Sequence, residues 1–445
     1  MTLRHRIEQE IRECGPMPFS RYMELCLYHP DLGYYSRNPE QFGKSGDFYT
    51  SSDVHAVFGR LLARQFEEMW RALGSPPQIE ILEFGPGRGL FAQDVLDWSE
   101  KKFPEFFRAL HYSLAESSSR LRQRLQGTLS GHMQRGKASL SALPRGLKPG
   151  TFADLYGTSE AMPSRNAVAR REGSLKPRGD ATAQPMAAPG SAMDNPGRGK
   201  DTTSEVSDAV STPRALAPEV AVIVFANEFF DALPVEVLSP QGELRISQKD
   251  GRLCETWHPA SAEELGFLDR YSVHPEAGER IEAPLTGQRY MSQIAAMVER
   301  GFVVVIDYGY TRQEQLAGRH RGTIAAYRQH SACANPYQAP GEQDLTAHVN
   351  FTALAAVAEE QGMQAHPLLT QSQVLLGIGE HNQFADAFEP CRLPQERAKA
   401  ALQLKHLVTP AGMGESFHVL LASKGIPTQT VKRLSGLTFG TPATW

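Results

Sequence analysis

The sequence predicts an α/β fold built on a mostly parallel, doubly wound sheet, with an N-terminal helical extension and further helical and strand insertions. Three observations carry this. The apolar run Ile79–Phe84 leads without a break into the glycine-rich turn Gly85-Pro86-Gly87-Arg88-Gly89, and a helical pattern opens at once over Leu90–Trp98. The runs Val220–Phe225 and Phe302–Ile306 are continuous and rich in β-branched residues, as strands covered on both faces must be. Strand-like and helix-like segments alternate along the chain, which is the signature of crossover connections between parallel strands.

The elements follow in order. Ile7 and Ile11 stand four apart among charges, so Thr2–Glu13 is a short amphipathic helix that Gly15-Pro16 stops. A second helix is expected from Phe19 to Tyr28. A polar, glycine-rich stretch, Phe42–Ser52, precedes a longer helix from Asp53 to about Ala72, with Val57, Leu61, Leu62, Phe66 and Met69 at helical spacing. After the glycine turn, His111–Ala115 reads as a strand ending at Glu116. Between about Thr151 and Pro218, Ala, Pro, Gly, Ser and mixed charges replace the apolar pattern, and such a segment buries too little surface to offset its ordering entropy. It is expected to be a disordered insertion. A strand-rich section, Glu236–Arg280, a helix over Arg289–Arg300, a helix over Phe351–Gln361 and a late strand, Phe417–Ala422, complete the reading. The domain plan is therefore 1–75 as helical extension and lid, 76–150 as the first half of the core, 151–218 as insertion and 219–445 as the second half.

Composition narrows the function. The 445 residues carry a formal net charge of -4 and 22% charged residues, without the basic surplus of a nucleic-acid binder. The five cysteines, Cys14, Cys26, Cys254, Cys333 and Cys391, are scattered and form no CxxC pair, which argues against a disulfide framework or zinc site. No trusted metal-ligand spacing occurs among the histidines. No signal peptide and no membrane span are expected, and the setting is expected to be cytoplasmic.

The glycine turn is where the chemistry concentrates. Glycines let a backbone turn tightly and approach a ligand, and the helix that follows offers free N–H groups. The spacing is GxGxG, whereas a pyrophosphate of NAD needs GxGxxG more strictly. Glu116, at the end of the next strand, stands where a ribose presents its hydroxyls, and Glu83 directly precedes the turn. S-adenosylmethionine is the expected cofactor, with Glu83, Gly85, Pro86, Gly87, Gly89 and Glu116 around it; NAD is the rival ligand, and a purely structural glycine turn the other alternative.

Several strings together resemble the MidA family of S-adenosylmethionine-dependent methyltransferases, related to the mitochondrial complex I assembly-factor arginine methyltransferase. They are Gly33-Tyr34-Tyr35, Gly46-Asp47-Phe48-Tyr49-Thr50-Ser51, Leu82–Gly89, Asn227-Glu228-Phe229-Phe230-Asp231-Ala232-Leu233-Pro234-Val235, Asp307-Tyr308-Gly309, Pro340-Gly341 and Asp344–Phe351. The resemblance implies a Rossmann-like class I methyltransferase with a seven-stranded sheet. It also implies methylation of a protein arginine, with a respiratory complex I subunit as an extrapolated target. The chain departs from the family in its long insertion and in Ser52-Asp53, where the family usually has Pro-Glu.

Asn227-Glu228-Phe229-Phe230-Asp231 lies just past the C-terminal end of a strand, where open α/β sheets hold their ligands. Carboxylates at Glu228 and Asp231 are the catalytic candidates, since they would orient a guanidinium through charge-assisted bonds. Asp231 as a helix cap is the bland alternative. Asn227 joins the cofactor list, as do Gly46, Asp47 and Thr50, read as a lid over the cofactor or part of the substrate mouth. Asp344, Thr346 and His348 either approach the site or begin a helix; His348 and His330 are weak candidates for a general base. Two other readings stay open: methylation of a small molecule or another protein side chain, and an assembly factor that binds the cofactor without turnover. A homodimer is also left open.

Overall fold

A computed structural model describes residues 2–37, 56–140, 220–328 and 331–439. Gly46, Asp47, Thr50, His330 and the 151–218 segment lie outside the described residues.

Five of the seven strands of the central sheet use runs that the sequence marks, and two short ones, Ala138–Leu140 and Gln364–Ala365, are additions. Its strands are β1 (Ile79–Phe84), β2 (Leu110–Ala115), β3 (Ala138–Leu140), β4 (Ala221–Asn227), β5 (Gly301–Tyr310), β6 (Gln364–Ala365) and β7 (Phe417–Lys424). They lie in the order β3-β2-β1-β4-β5-β7-β6. β1 to β5 are parallel, with Ile79 opposite both Leu110 and Ala221, and Gly301 opposite Val222. β7 runs antiparallel to β5 and β6. Two short strands, Val349–Asn350 and Leu369–Thr370, add to β5 and β7. The chain goes from β1 outward to β2 and β3, then returns to the other side of β1 as β4. That reversal opens a crevice at the C-terminal ends of β1 and β4, the place where such sheets bind ligands.

Both faces of the sheet are covered, which is why its strands read as continuous apolar runs rather than alternating ones. Successive strand residues point to opposite faces. Ile81, Ile223, Phe225 and Val304 face the helices α3 (Ala56–Ala72), α4 (Leu90–Lys102) and α8 (Gln371–His381), with Leu61, Phe66, Phe91 and Val95 between them. Phe91 stacks on Phe225 with ring centroids 4.5 Å apart, and Phe66 meets Phe225 edge-on at 5.5 Å. Leu82, Val222, Val224, Val303 and Val305 face α6 (Leu285–Met297) and α7 (Phe351–Glu360) through Met291, Ile294 and Leu354. Each such side chain contributes about 1.5–3 kcal/mol by leaving water.

The strand-rich middle is a small antiparallel sheet. Met17–Pro18, Glu236–Ser239, Gly242–Lys249, Arg252–His258 and Ile281–Ala283 form it, and α1 (Leu3–Cys14) and α2 (Phe19–Tyr28) share an apolar cluster with it. This section also holds a helix, α5 (Ala262–Tyr271), that the expectation of strands over Glu236–Arg280 passes over. Ser261 and Glu264 close it with a reciprocal capping box, a Ser-x-x-Glu signature present in the sequence. The helix expected at Arg289–Arg300 begins earlier, at Leu285, and ends at Met297 because β5 starts at Gly301.

Three carboxylates, Glu236, Glu243 and Glu264, meet between this sheet and that helix, close enough to share a metal ion. Each already has a structural duty. Ser20 donates to Glu236 at 2.7 Å, Arg245 pairs with Glu243 at 3.0 Å, and Glu264 caps its helix. Burial pushes the Glu236 carboxyl up to about 7, so a proton can relieve the repulsion that an ion would otherwise have to offset. No helix among the described residues is long and apolar enough to cross a membrane.

Candidate functional site

The glycine turn joins β1 to α4 and has three left-handed residues, Gly85 (φ 62°), Gly87 (φ 52°) and Gly89 (φ 76°). Gly89 N–H donates to the Pro86 carbonyl at 2.8 Å, and Gly85 N–H donates to the Ala115 carbonyl at 3.1 Å, which ties the turn to the end of β2. The three glycines have different surroundings. A Cβ on Gly85 would lie 3.0 Å from the Phe229 ring, and one on Gly89 would lie 2.5 Å from Leu125. One on Gly87 would meet nothing within 4 Å among the described residues. The turn is packed at both ends and open in the middle.

Two buried acids flank it. Tyr112 on β2 donates to Glu83 Oε2 at 3.0 Å. Glu116 accepts from the Ser118 N–H at 2.8 Å, and the backbone N–H of Gly87 also favours its charged form. Burial pushes Glu83 to about 8, helped by the neighbouring Glu116 charge, and pushes Glu116 to about 7. These are two acids kept partly protonated at neutral pH beside an open turn, a donor set suited to a ligand with hydroxyls and a positive charge.

Across the crevice, the chain leaves β4 at Asn227. Asn227 Nδ2 donates to Glu228 Oε1 at 3.1 Å, and Glu228 itself takes a left-handed φ of 49°. For a side chain other than glycine this conformation is strained and needs support. The Glu228 N–H donates to the Ile306 carbonyl at 2.9 Å. Asp307 supplies the rest: its Oδ2 accepts the N–H groups of Phe229, Phe230 and Asp231 at 3.2, 3.0 and 3.2 Å, and its Oδ1 accepts that of Tyr308 at 2.9 Å. The Tyr308 hydroxyl donates to Asp231 Oδ2. Asp231 Oδ1 is buried and has no hydrogen-bond partner among the described residues, although the nearby backbone N–H of Ala232 favours the charged form of this carboxyl. Burial raises the Asp231 carboxyl to about 6 and pushes Asp307 upward too, with the Asp231 and Glu228 charges adding to the latter.

The two halves of the crevice touch. Phe229 lies against Gly85, packs on Phe84 at 5.5 Å and meets Tyr290 at 5.8 Å. The N-terminal segment spans both sides: Ser118 donates to the Tyr35 carbonyl at 3.0 Å, Tyr28 donates to the Ala232 carbonyl at 2.9 Å, and Tyr35 donates to Asp344 at 3.1 Å.

The structure thus brings Glu83, Gly85, Pro86, Gly87, Gly89 and Glu116 together at one end of the crevice and Asn227, Glu228 and Asp231 at the other. Asp231 does not cap a helix. Asp344 and Thr346 belong to a strand, Asp344–Thr346, and the cap of α7 is Asn350. His348 is held 3.1 Å from His320, Nδ1 to Nδ1, and burial lowers it to about 4, which makes it a poor proton acceptor near neutral pH. Asp307, Tyr308 and Tyr35 are the residues to which the sequence reading gives no role, although all three stand in the strings quoted above. A cavity of about 460 Å³ beside Leu238, Ala260, Leu265 and Leu268 shares none of these residues.

A parallel sheet with this strand order, an antiparallel β7 inserted beside β5, and a glycine turn after β1 define the architecture of a class I methyltransferase. Residues 61–369 match a family model described as "Putative S-adenosyl-L-methionine-dependent methyltransferase". The match spans more than half of the chain, and the chain belongs to this family. Its cofactor is S-adenosylmethionine; the open face at Gly87 and the buried acids beside it fit that group. Among similar proteins, the Drosophila melanogaster "Protein arginine methyltransferase NDUFAF7 homolog, mitochondrial" is 25% identical over 96% of this chain and 85% of its own. The human "Protein arginine methyltransferase NDUFAF7, mitochondrial" is 26% identical over 94% and 82%. A crystal structure of a COG1565 superfamily member from Burkholderia thailandensis, bound to S-adenosyl-homocysteine, superposes with a TM-score of 0.70 at 24% identity, covering 97% of this chain and 94% of that one. At that identity the likeness speaks for the fold.

Proposed function

We propose that the chain is a protein-arginine N-methyltransferase, with the acceptor guanidinium bound between Glu228 and Asp231. The observation that carries this is the buried Oδ1 of Asp231, which has no hydrogen-bond partner among the described residues and lies in the same turn as the Glu228 carboxylate, next to the cofactor turn. A permanently charged guanidinium satisfies such an oxygen and offsets the crowded negative charge. The names of the relatives agree with this class of acceptor. On the family resemblance, the target we favour is a respiratory complex I subunit. We assign the cytoplasm as the setting, although the relatives carry "mitochondrial" in their names.

In this reading Gly85, Pro86, Gly87 and Gly89 shape the cofactor bed, Glu116 accepts the ribose hydroxyls and Glu83 faces the methionine end. Asn227 borders both halves. When bound, the cofactor supplies an electrophilic methyl group on a sulfonium. Asp231 and Glu228 orient the guanidinium so that one nitrogen lies behind that methyl, which is most of what this reaction asks of a protein. The new N–C bond forms as S–C breaks, the electron pair stays on sulfur, and the nitrogen sheds a proton. Asp231, raised to about 6, is placed to take it.

The test is to incubate the purified protein with tritiated S-adenosylmethionine and a cell extract, then hydrolyse the labelled protein in acid. Label in methylarginine supports the reading. Label in another amino acid moves the acceptor, and label in no protein at all sinks it.

Cofactor binding should depend on pH. Glu83 and Glu116 are raised to about 8 and about 7, so in the free protein both gain protons as pH falls, whereas a cationic ligand favours their charged forms. Affinity should therefore rise from pH 6 to pH 8, by about 10- to 100-fold, with proton release on binding. Calorimetry in two buffers of different ionisation heat measures both. A dissociation constant flat across this range would mean that the two acids do not face the ligand.

A further inference from the structure

We infer that Asp307 and Tyr308 are positioning residues for methyl transfer: together they fix Asp231 so that a single carboxylate oxygen, Oδ1, is presented to the acceptor. This rests on the acceptor reading given above. Asp231 is held at three points. Its N–H donates to Asp307, its carbonyl accepts the Ala347 N–H at 2.9 Å, and its Oδ2 accepts the Tyr308 hydroxyl. Asp307 does more than hold one residue. By accepting three consecutive N–H groups it stabilises the left-handed turn at Glu228, which also sets where the Glu228 side chain begins.

The chemical consequence is selectivity within the guanidinium. A carboxylate with both oxygens free takes two guanidinium N–H groups side by side and ties up two nitrogens. With Oδ2 occupied by Tyr308, Asp231 engages one N–H. That N–H belongs to the nitrogen that faces the methyl group, so Asp231 takes its proton on transfer while Glu228 braces the rest of the cation. The groups that face Asp231 are Tyr308 and Asp307 from β5, the Ala232 N–H from its own turn, and Tyr35 from the N-terminal segment, itself bonded to Asp344; the Glu228 charge acts on Asp307.

Tyr308→Phe keeps the ring, which packs edge-on against Phe417 and His348 at 5.5 and 5.3 Å, and removes only the hydroxyl. Infrared titration of the protonated carboxyl band, assigned to Asp231 by its loss in Asp231→Asn, follows Asp231 without any substrate. Without the hydroxyl that favours its charged form, its midpoint should rise by about one pH unit. Transfer of label from S-adenosylmethionine to extract protein should fall at least about tenfold, with cofactor affinity and melting temperature little changed. An unmoved midpoint overturns the proposal, and so does a moved midpoint with wild-type transfer. Asp307→Asn, which replaces one accepting oxygen by a donor, should lower transfer similarly; full transfer in that variant overturns the role of Asp307. If the wild type labels a residue other than arginine, the arginine reading fails while the infrared result still reports on Asp231.

Discussion

Gly87→Val is expected to weaken S-adenosylmethionine binding by at least about 100-fold while the protein stays folded. Two effects add. Gly87 has a φ of 52°, and a β-branched residue there costs upward of about 1–2 kcal/mol in backbone strain. The side chain would also project into the open space over the turn, where the described residues offer no contact but the cofactor must approach the backbone. The second effect is the larger one, and it falls only on the bound state. Calorimetric titration of both proteins, with melting curves taken with and without cofactor, separates them. A variant that melts lower yet binds as tightly as the wild type would show that the turn is structural and that the cofactor lies elsewhere. Gly85→Ala and Gly89→Ala make useful contrasts, because their new methyl groups press on Phe229 and Leu125 and should lower stability as well as binding.

Asp231→Asn should lower methyl transfer by about 100- to 1000-fold and leave cofactor affinity within about twofold. The amide keeps the shape and can still accept from Tyr308, so what is lost is charge and the capacity to take a proton. Glu228→Gln should be milder, since Glu228 braces the cation without a proton to receive. Because both act on the same guanidinium, the double variant should lose less than the product of the two single losses. Single-turnover measurements with saturating cofactor give these ratios. Wild-type rates in Asp231→Asn would remove Asp231 from the chemistry and leave its burial as a matter of packing.

Much of this arrangement is written locally in the chain. Val220–Phe225 and Phe302–Ile306 are legible as buried strands because both faces of the sheet are covered and no polar residue interrupts them; Ile79–Phe84 reads the same way despite Glu80 and Glu83, because the glycine turn follows it at once. The glycine turn is legible because left-handed backbone leaves a compositional mark. Short strands such as β3 and β6 leave none, and their pairing is decided by neighbours far along the chain. The helix Ala262–Tyr271 was within reach through its capping box, but its surroundings read as strands. Asp307 illustrates the deeper limit. Three of its four partners lie 76 to 78 residues earlier, and all are backbone N–H groups, which every residue but proline has. Nothing in the identity of Phe229 or Phe230 announces which carboxylate will gather them. Asp344 misleads for a similar reason: acidic and followed by an apolar run, it resembles a helix start, and only the pairing of Tyr327 with Asp344 makes it a strand residue.

The place of β7 has a bearing on how the chain assembles. β7 comes from residues 417–424 yet sits between β5 and β6, antiparallel to both. During synthesis β5 is therefore complete more than a hundred residues before the strand that covers its edge leaves the ribosome. Until then a Val- and Ile-rich edge stands exposed, the kind that recruits other chains. The nascent chain thus has a long interval in which a chaperone, or a partner docked at that edge, decides whether it matures or aggregates.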